Sequence, residues 1–206
     1  MKIVFATGNK GKLAEIVEIL NDPKYEIISM KETGFAGEII EDGTTYEENA
    51  LIKVHAVREY LGESGYPDEC IVMADDSGLE VDYLGGKPGI YSARYMGEDT
   101  PYSIKNQAII DALEGVPDEK RGARFVCAIA ISFPDGTEET TRATYEGLVA
   151  REAKGSNGFG YDPMFFLPQC NATDAEMPIE YKNQNSHRAK ALRKAQELLN
   201  DKIQRS

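Results

Sequence analysis

Ile3, Val4, Phe5 and Ala6 form an unbroken apolar run after Lys2, the pattern of a strand buried on both faces. Thr7 to Lys12 is polar and glycine-bearing and reads as a turn. Leu13, Ile16, Val17 and Leu20 then recur at helical spacing, and Asn21-Asp22-Pro23 ends that helix. Tyr25 to Met30 predicts a short strand, and Lys31 to Gly43 a loop rich in glycine and acids. Tyr46, Ala50, Val54, Val57 and Leu61 share one helical face. Thr44 or Thr45 suits its N-cap, and Glu47 and Glu48 suit its dipole. Ile71 to Ala74 predicts a second apolar strand ending at Asp75-Asp76, with a bend at Gly78 before strand resumes over Leu79 to Tyr83.

The second half of the chain continues the alternation. Residues 85–89 are irregular backbone. Thr100-Pro101 predicts an N-cap and first-turn proline for a helix running through Leu113. Phe125 to Phe133 is a long β-rich run. Pro134-Asp135-Gly136 turns it into a return strand ending near Tyr145, and Gly147 to Ala150 predicts a further strand. Pro163 to Leu167 is a short apolar segment. Ala191, Leu192, Ala195, Leu198 and Leu199 mark a C-terminal helix. The expected class is α/β. No repeat, low-complexity tract or linker interrupts the chain, so residues 1–206 are expected to act as one functional domain.

Composition narrows the setting. A length of 206 residues suffices for one sizeable domain or two small lobes. No apolar run reaches the roughly 18 residues that span a bilayer, and Gly8 and Asn9 break the N-terminal run before any signal-peptide cleavage region. The expectation is no membrane partner. Cys70, Cys127 and Cys170 are odd in number, widely spaced and without a CxxC pair, which fits a reducing, cytoplasmic setting. The net charge of −12 opposes nucleic-acid binding, which needs a basic face. It leaves a small nucleotide possible, because a few cations and a divalent metal dominate locally.

Several segments carry chemistry. Thr7-Gly8-Asn9-Lys10-Gly11-Lys12 places glycines, amides and two lysines between a strand and a helix, where unpaired N–H groups and the dipole attract phosphate. Ala6 and Leu13 exclude a Walker A loop, and Lys10 breaks the dinucleotide GxGxxG pattern. A plain helix start with solvated lysines fits the same residues. Asp75-Asp76 places adjacent carboxylates at a strand end, where a cation relieves their repulsion. Because strand residues alternate faces, both reach one site only if Ser77-Gly78 bends the chain. Mg²⁺ takes one or two carboxylates plus substrate phosphates, and Glu41 and Asp42 are candidates to complete such a site. A solvated strand-end turn is the alternative.

Gly158-Phe159-Gly160-Tyr161-Asp162-Pro163 sets aromatics among glycines, so Phe159 or Tyr161 can stack on a base or plug the core. Lys182, His187 and Arg188 lie before or at the start of the last helix. Arg188 has donors only, which suit a 6-oxo purine and offer nothing to a 6-amino group.

The order and spacing of these segments resemble the dITP/XTP pyrophosphatase family, also called inosine triphosphate pyrophosphatases, of the bacterial type. The resemblance runs through TGNKGK, Glu48-Asn49-Ala50, ADDSGLEVD at 74–82, LGGKPGIYSARY at 84–95, GFGYDP at 158–163 and SHR at 186–188. It implies an α/β fold with a long mixed central sheet and two lobes flanking a nucleotide-binding cleft. It implies a Mg²⁺-dependent homodimer that hydrolyses ITP, dITP and XTP to a monophosphate and pyrophosphate. Carried over by position, Thr7, Gly8, Asn9, Lys10, Gly11 and Lys12 would bind the triphosphate. Asp76 would be general base and metal ligand, with Ser77 touching substrate. Glu41 and Asp75 would help hold Mg²⁺. Phe159, Gly160, Tyr161, Asp162 and Lys182 would line the base pocket, and His187 and Arg188 would read the purine oxygen. A pyrophosphatase for other nucleotides and a non-cleaving triphosphate sensor are the competing functions.

Overall fold

The computed structural model describes residues 1–66 and 69–205. Its strands are β1 (Lys2–Phe5), β2 (Glu26–Ser29), β3 (Ile71–Val81), β4 (Gly122–Ser132), β5 (Glu138–Val149), β6 (Phe165–Leu167) and β7 (Ala172–Thr173). Its helices are α1 (Lys10–Ile19), α2 (Tyr46–Glu63), α3 (Tyr102–Ala112), α4 (Ile179–Asn185) and α5 (His187–Arg205). The strands form one seven-stranded sheet in the order β2-β1-β3-β4-β5-β6-β7. β1 pairs in parallel with β2 and β3, whereas β6 pairs antiparallel with β5 and β7, so the sheet is mixed and the class α/β. Among the described residues no helix is long and apolar enough to cross a membrane.

The chain divides into two compact units. The first comprises Met1–Asp76, Cys127–Ala143 and the segment from Arg188 onward; the second comprises Ser77–Val126 and Thr144–His187. The chain changes unit within β3, β4 and β5 and again after His187 at the start of α5.

In the first unit, strand alternation sorts two cores. Ile3, Phe5, Ile71 and Met73 pack with Ile16 and Leu20 of α1 and with Ala191, Leu192, Ala195 and Leu199 of α5. Val4, Ala6, Val72 and Ala74 pack with Ala50, Val54, Val57 and Leu61 of α2. Thr45 caps α2 in a reciprocal capping box with Glu48. In the second unit, Leu79, Val81, Phe125, Tyr145 and Phe165 pack with Ile109, Ile110 and Leu113 of α3.

Several local expectations give way. β3 runs unbroken through the acidic pair and Gly78, so there is no bend. Gly78 serves a close approach instead: a Cβ there would lie 2.3 Å from the Gly89 carbonyl oxygen and 2.7 Å from Ser92 Oγ. Ser92 Oγ donates to that same carbonyl and accepts from the Leu79 amide, fixing residues 89–92 against the strand. Gly78→Ala should therefore cost about 1–3 kcal/mol by overpacking, read from the urea midpoint; an unchanged midpoint would mean the 89–92 segment yields freely. α3 starts one residue later than expected, with Pro101 as N-cap, because Thr100 Oγ1 donates to the Met96 carbonyl. The return strand β5 continues to Val149 rather than breaking after Tyr145. The short elements β7 and α4 carry too few apolar positions to show periodicity.

Candidate active site

The expected phosphate loop sits where β1 hands over to α1 in the first unit. Asn9 is the N-cap, and its Oδ1 accepts from the amides of Gly11 at 2.9 Å and Lys12 at 3.2 Å. Thr7 Oγ1 accepts from the Asn9 amide at 3.2 Å. Gly8, Asn9, Lys10 and Gly11 are exposed, and Thr7 is buried. The lysines divide. Lys10 has no ion-pair partner among the described residues, whereas Lys12 Nζ lies 2.9 Å from Asp75 Oδ2.

Because β3 runs straight, Asp75 and Asp76 face opposite sides of the sheet. Asp75 follows the parity of Ile71 and Met73 and faces α1 and α5. It is 1% exposed, and its Oδ2 accepts from Arg188 Nε and Nη2, each at 3.4 Å, as well as from Lys12. Arg188 Nη1 also donates to Glu15 Oε2, so Lys12, Asp75, Arg188 and Glu15 are linked in one ion-pair network. Burial alone would push Asp75 up, but Lys12, Arg188 and Lys53 outweigh it and hold the carboxyl well below the usual range. The buried Cys127 thiol is pushed up to about 12, by burial first and then by Asp75.

Asp76 faces α2. Its Oδ2 accepts from Asn49 Nδ2 at 3.1 Å, and its Oδ1 lies 3.6 Å from Lys53 Nζ. Lys53 Nζ donates to the Asp75 carbonyl oxygen at 2.9 Å and pairs with Glu41 Oε2 at 2.9 Å. Asn49 Oδ1 accepts from the Gly43 amide at 2.9 Å, tying the loop that bears Glu41 to the side chain that contacts Asp76. Burial pushes the Asp76 carboxyl up; Lys53 and Lys12 oppose this, and Glu41 adds to it. Asp76 thus has the character of a base: buried, oriented by a neutral amide and easier to protonate than an ordinary carboxylate.

The expected three-carboxylate metal set does not converge. Among the described residues, no three of His, Cys, Asp or Glu are grouped to hold a metal ion. Asp75 is turned to the other face and engaged by Lys12 and Arg188. Glu41 and Asp76 do fit a hard divalent cation. Both present oxygens to a cationic centre, which the Lys53 ammonium supplies here, and two carboxylates are the number Mg²⁺ commonly takes from protein.

The second unit holds the remaining residues. Asp162 Oδ2 accepts from the Phe159 amide at 2.8 Å and from Lys182 Nζ at 2.5 Å. Gly158 is obligatory twice over: its φ is 76°, and a Cβ would lie 2.1 Å from Asp162 Oδ2. The Phe159 ring is 39% exposed, with the Lys182 ammonium 5.5 Å from its centroid. Tyr161 departs from expectation. It is a core residue, 4% exposed, whose hydroxyl donates to the Ser92 carbonyl at 2.8 Å and whose ring meets Tyr102 edge-on. The Gly160 carbonyl accepts from Asn106 Nδ2 at 3.1 Å. The His187 ring stacks on Phe125 at 4.9 Å, and Ser77 is half-buried on β3. Arg188 also departs from expectation: it is 3% exposed and engaged by Asp75 and Glu15 inside the first unit.

Sequence alone assigns no role to Lys53, Glu15 or Asp174, and Asn49 figures only within the Glu48-Asn49-Ala50 motif. Lys53 and Asn49 lie four apart on α2, and Lys53 sits within the apolar stripe between Ala50 and Val54. A charged residue inside an apolar stripe was the available signal, since such a residue is buried only with partners.

The mixed sheet and its flanking helices define an α/β protein. The Ham1 family model matches residues 3–198, and the chain belongs to that family. It is 47% identical to the dITP/XTP pyrophosphatase of Desulforamulus reducens, over 97% of this chain and 96% of that one. It is 43% identical to the dITP/XTP pyrophosphatase of Bacillus subtilis, over 95% and 96% respectively. Among solved structures it is similar to the Staphylococcus aureus Ham1 protein, with a TM-score of 0.85 and 38% identity over 98% of this chain and 100% of that one.

Proposed function

We propose that this protein is a nucleoside triphosphate pyrophosphatase that hydrolyses the noncanonical purine nucleotides ITP, dITP and XTP to the monophosphate and pyrophosphate. Asp76 carries this reading. A buried carboxylate oriented by Asn49, with Glu41 and Lys53 beside it, is suited to take a proton from water.

In this reading, Lys10 and the exposed start of α1 grip the triphosphate tail. Lys12 stays on Asp75 and adds its charge to the same end of the unit. Glu41 and Asp76 would hold a divalent cation, which we assign as Mg²⁺; when bound, it supplies charge neutralisation on phosphate oxygens. Asp76 orients and deprotonates the water that attacks the α-phosphorus in line. Lys53 keeps Glu41 and Asp76 from repelling each other and offers positive charge toward the phosphates. Phe159 stacks on the base, and Lys182, held by Asp162, donates to a purine oxygen. Arg188 holds Asp75 and Glu15 and acts on the site through them. The family likeness supports a homodimer, and the free Cys70, Cys127 and Cys170 support a cytoplasmic setting.

The test is incubation of purified protein with ITP, XTP, dUTP, GTP and ATP, with and without Mg²⁺. Monophosphate plus pyrophosphate from ITP and XTP, dependent on Mg²⁺, is expected. Preferred cleavage of dUTP, release of orthophosphate, or binding without cleavage would each overturn the assignment.

A further inference from the structure

Lys182 meets two carboxylates. Asp162 Oδ2 lies 2.5 Å from its ammonium and Asp174 Oδ2 lies 3.5 Å away. Asp174 is 1% exposed and opens a short 3-10 turn over Asp174–Glu176; its Oδ1 accepts from the Tyr145 hydroxyl at 3.4 Å. Asp162 is already engaged by the Phe159 amide and fixes the glycine loop. Among the described residues this buried group sets two acids against one ammonium, and one cation does not fully compensate both acids once they are dehydrated. The charged and titratable groups facing Asp174 are Asp162, Lys182 and Tyr145, with Tyr181 and Cys170 beside Tyr145. Burial, then the Asp162 charge, pushes Asp174 up to about 6, while burial and the Asp174 charge raise Tyr145 and keep it protonated. Asp174, farther from the ammonium than Asp162 and without a backbone amide on its carboxylate, is the more easily protonated of the two acids.

We infer that Asp174 is a positioning residue for base recognition, its ionised carboxylate competing with the base oxygen for the Lys182 ammonium and its protonation releasing that donor. The inference rests on Lys182 reading the base. An ammonium has three N–H bonds, and each one held by a carboxylate is withheld from a ligand. Neutral Asp174 takes one carboxylate charge away from Lys182, so a purine oxygen meets a stronger donor. The same change reaches Phe159, whose ring lies beside Lys182 and whose amide is bonded to Asp162.

Asp174→Asn tests this. The amide keeps an acceptor for Tyr145 and removes the charge. The readout is the ratio of wild-type to variant KM for ITP across pH, which cancels the ionisation of the substrate phosphates and of Asp76. The ratio should be near one at about pH 5 and rise through a midpoint near the Asp174 value. Above about pH 7 it should reach about three- to tenfold, the scale of one hydrogen bond. kcat should stay within about twofold, far below the loss expected of a missing catalytic group. A second readout needs no substrate. A carboxyl raised on folding costs stability once ionised, so the variant should melt above wild type at about pH 8 and lose that margin as pH falls from about 6 to the unfolded value of 3.8. A melting difference that titrates alongside a flat KM ratio would overturn the inference and leave the base reading standing. A KM ratio different from one but constant with pH would show a steric role and also overturn it. No preference of wild type for ITP over ATP would remove the reading of Lys182 and the inference together.

Discussion

Asp76→Asn should lower kcat for ITP by at least about a hundredfold, the lower range for removing a general base, while the fold survives. Asn keeps the shape of the side chain and retains an acceptor for Asn49 or Lys53. Lys53 is left with Glu41 and the Asp75 carbonyl, so its charge stays compensated. The sign of the stability change follows from the raised Asp76 carboxyl: burial makes its ionised form costly in the folded protein at neutral pH, and a neutral amide relieves that cost. The expected pattern is a large loss in kcat with a thermal midpoint unchanged or higher. Near-normal turnover would remove Asp76 from the role of base. A collapse of the midpoint would mean that its charge holds the fold.

Arg188→Ala has the second large effect, and it falls on stability. Asp75 and Glu15 are buried, and Arg188 bonds both. Breaking a buried pair by removing one partner costs about 3–5 kcal/mol, which denaturant unfolding would read directly. Lys12 remains on Asp75, so the loss concentrates on Glu15. The depressed Asp75 carboxyl contributes stability above its unfolded value of 3.8, and this is lost as pH falls through the folded value. The wild type should therefore lose its advantage over the variant in strong acid. A loss below about 1 kcal/mol, the range of an exposed pair, combined with weaker discrimination of ITP from ATP, would return Arg188 to the base-reading role that its donors suggest.

Periodicity gave the architecture of the first unit almost completely. The apolar runs at Ile3 to Ala6 and Ile71 to Ala74 and the stripes of α1 and α2 are long and regular, and each packs as its pattern implies. What sequence did not reveal lay in tertiary detail. Nothing local says that the Gly89 carbonyl must reach the backbone at Gly78, so a glycine needed for close packing reads as a bend. From that one residue follows the misplacement of Asp75, since a straight strand sends neighbouring carboxylates to opposite faces. Tyr161 and Phe159 alternate within one glycine loop, and only the Ser92 carbonyl and the Tyr102 ring tell which is buried. Lys53 and Asp174 were illegible for a related reason: a buried charge is recognised by its partners, and those lie 22 residues away for the Lys53–Asp75 bond and on separate elements for Asp174.

The central claim is that water, activated at Asp76, attacks the α-phosphorus. A single turnover of ITP in water enriched in heavy oxygen, with both products analysed by mass spectrometry, tests it most directly. The label should appear in the monophosphate and be absent from the pyrophosphate. Label in the pyrophosphate, or labelled orthophosphate, would place the attack at another phosphorus and contradict the account.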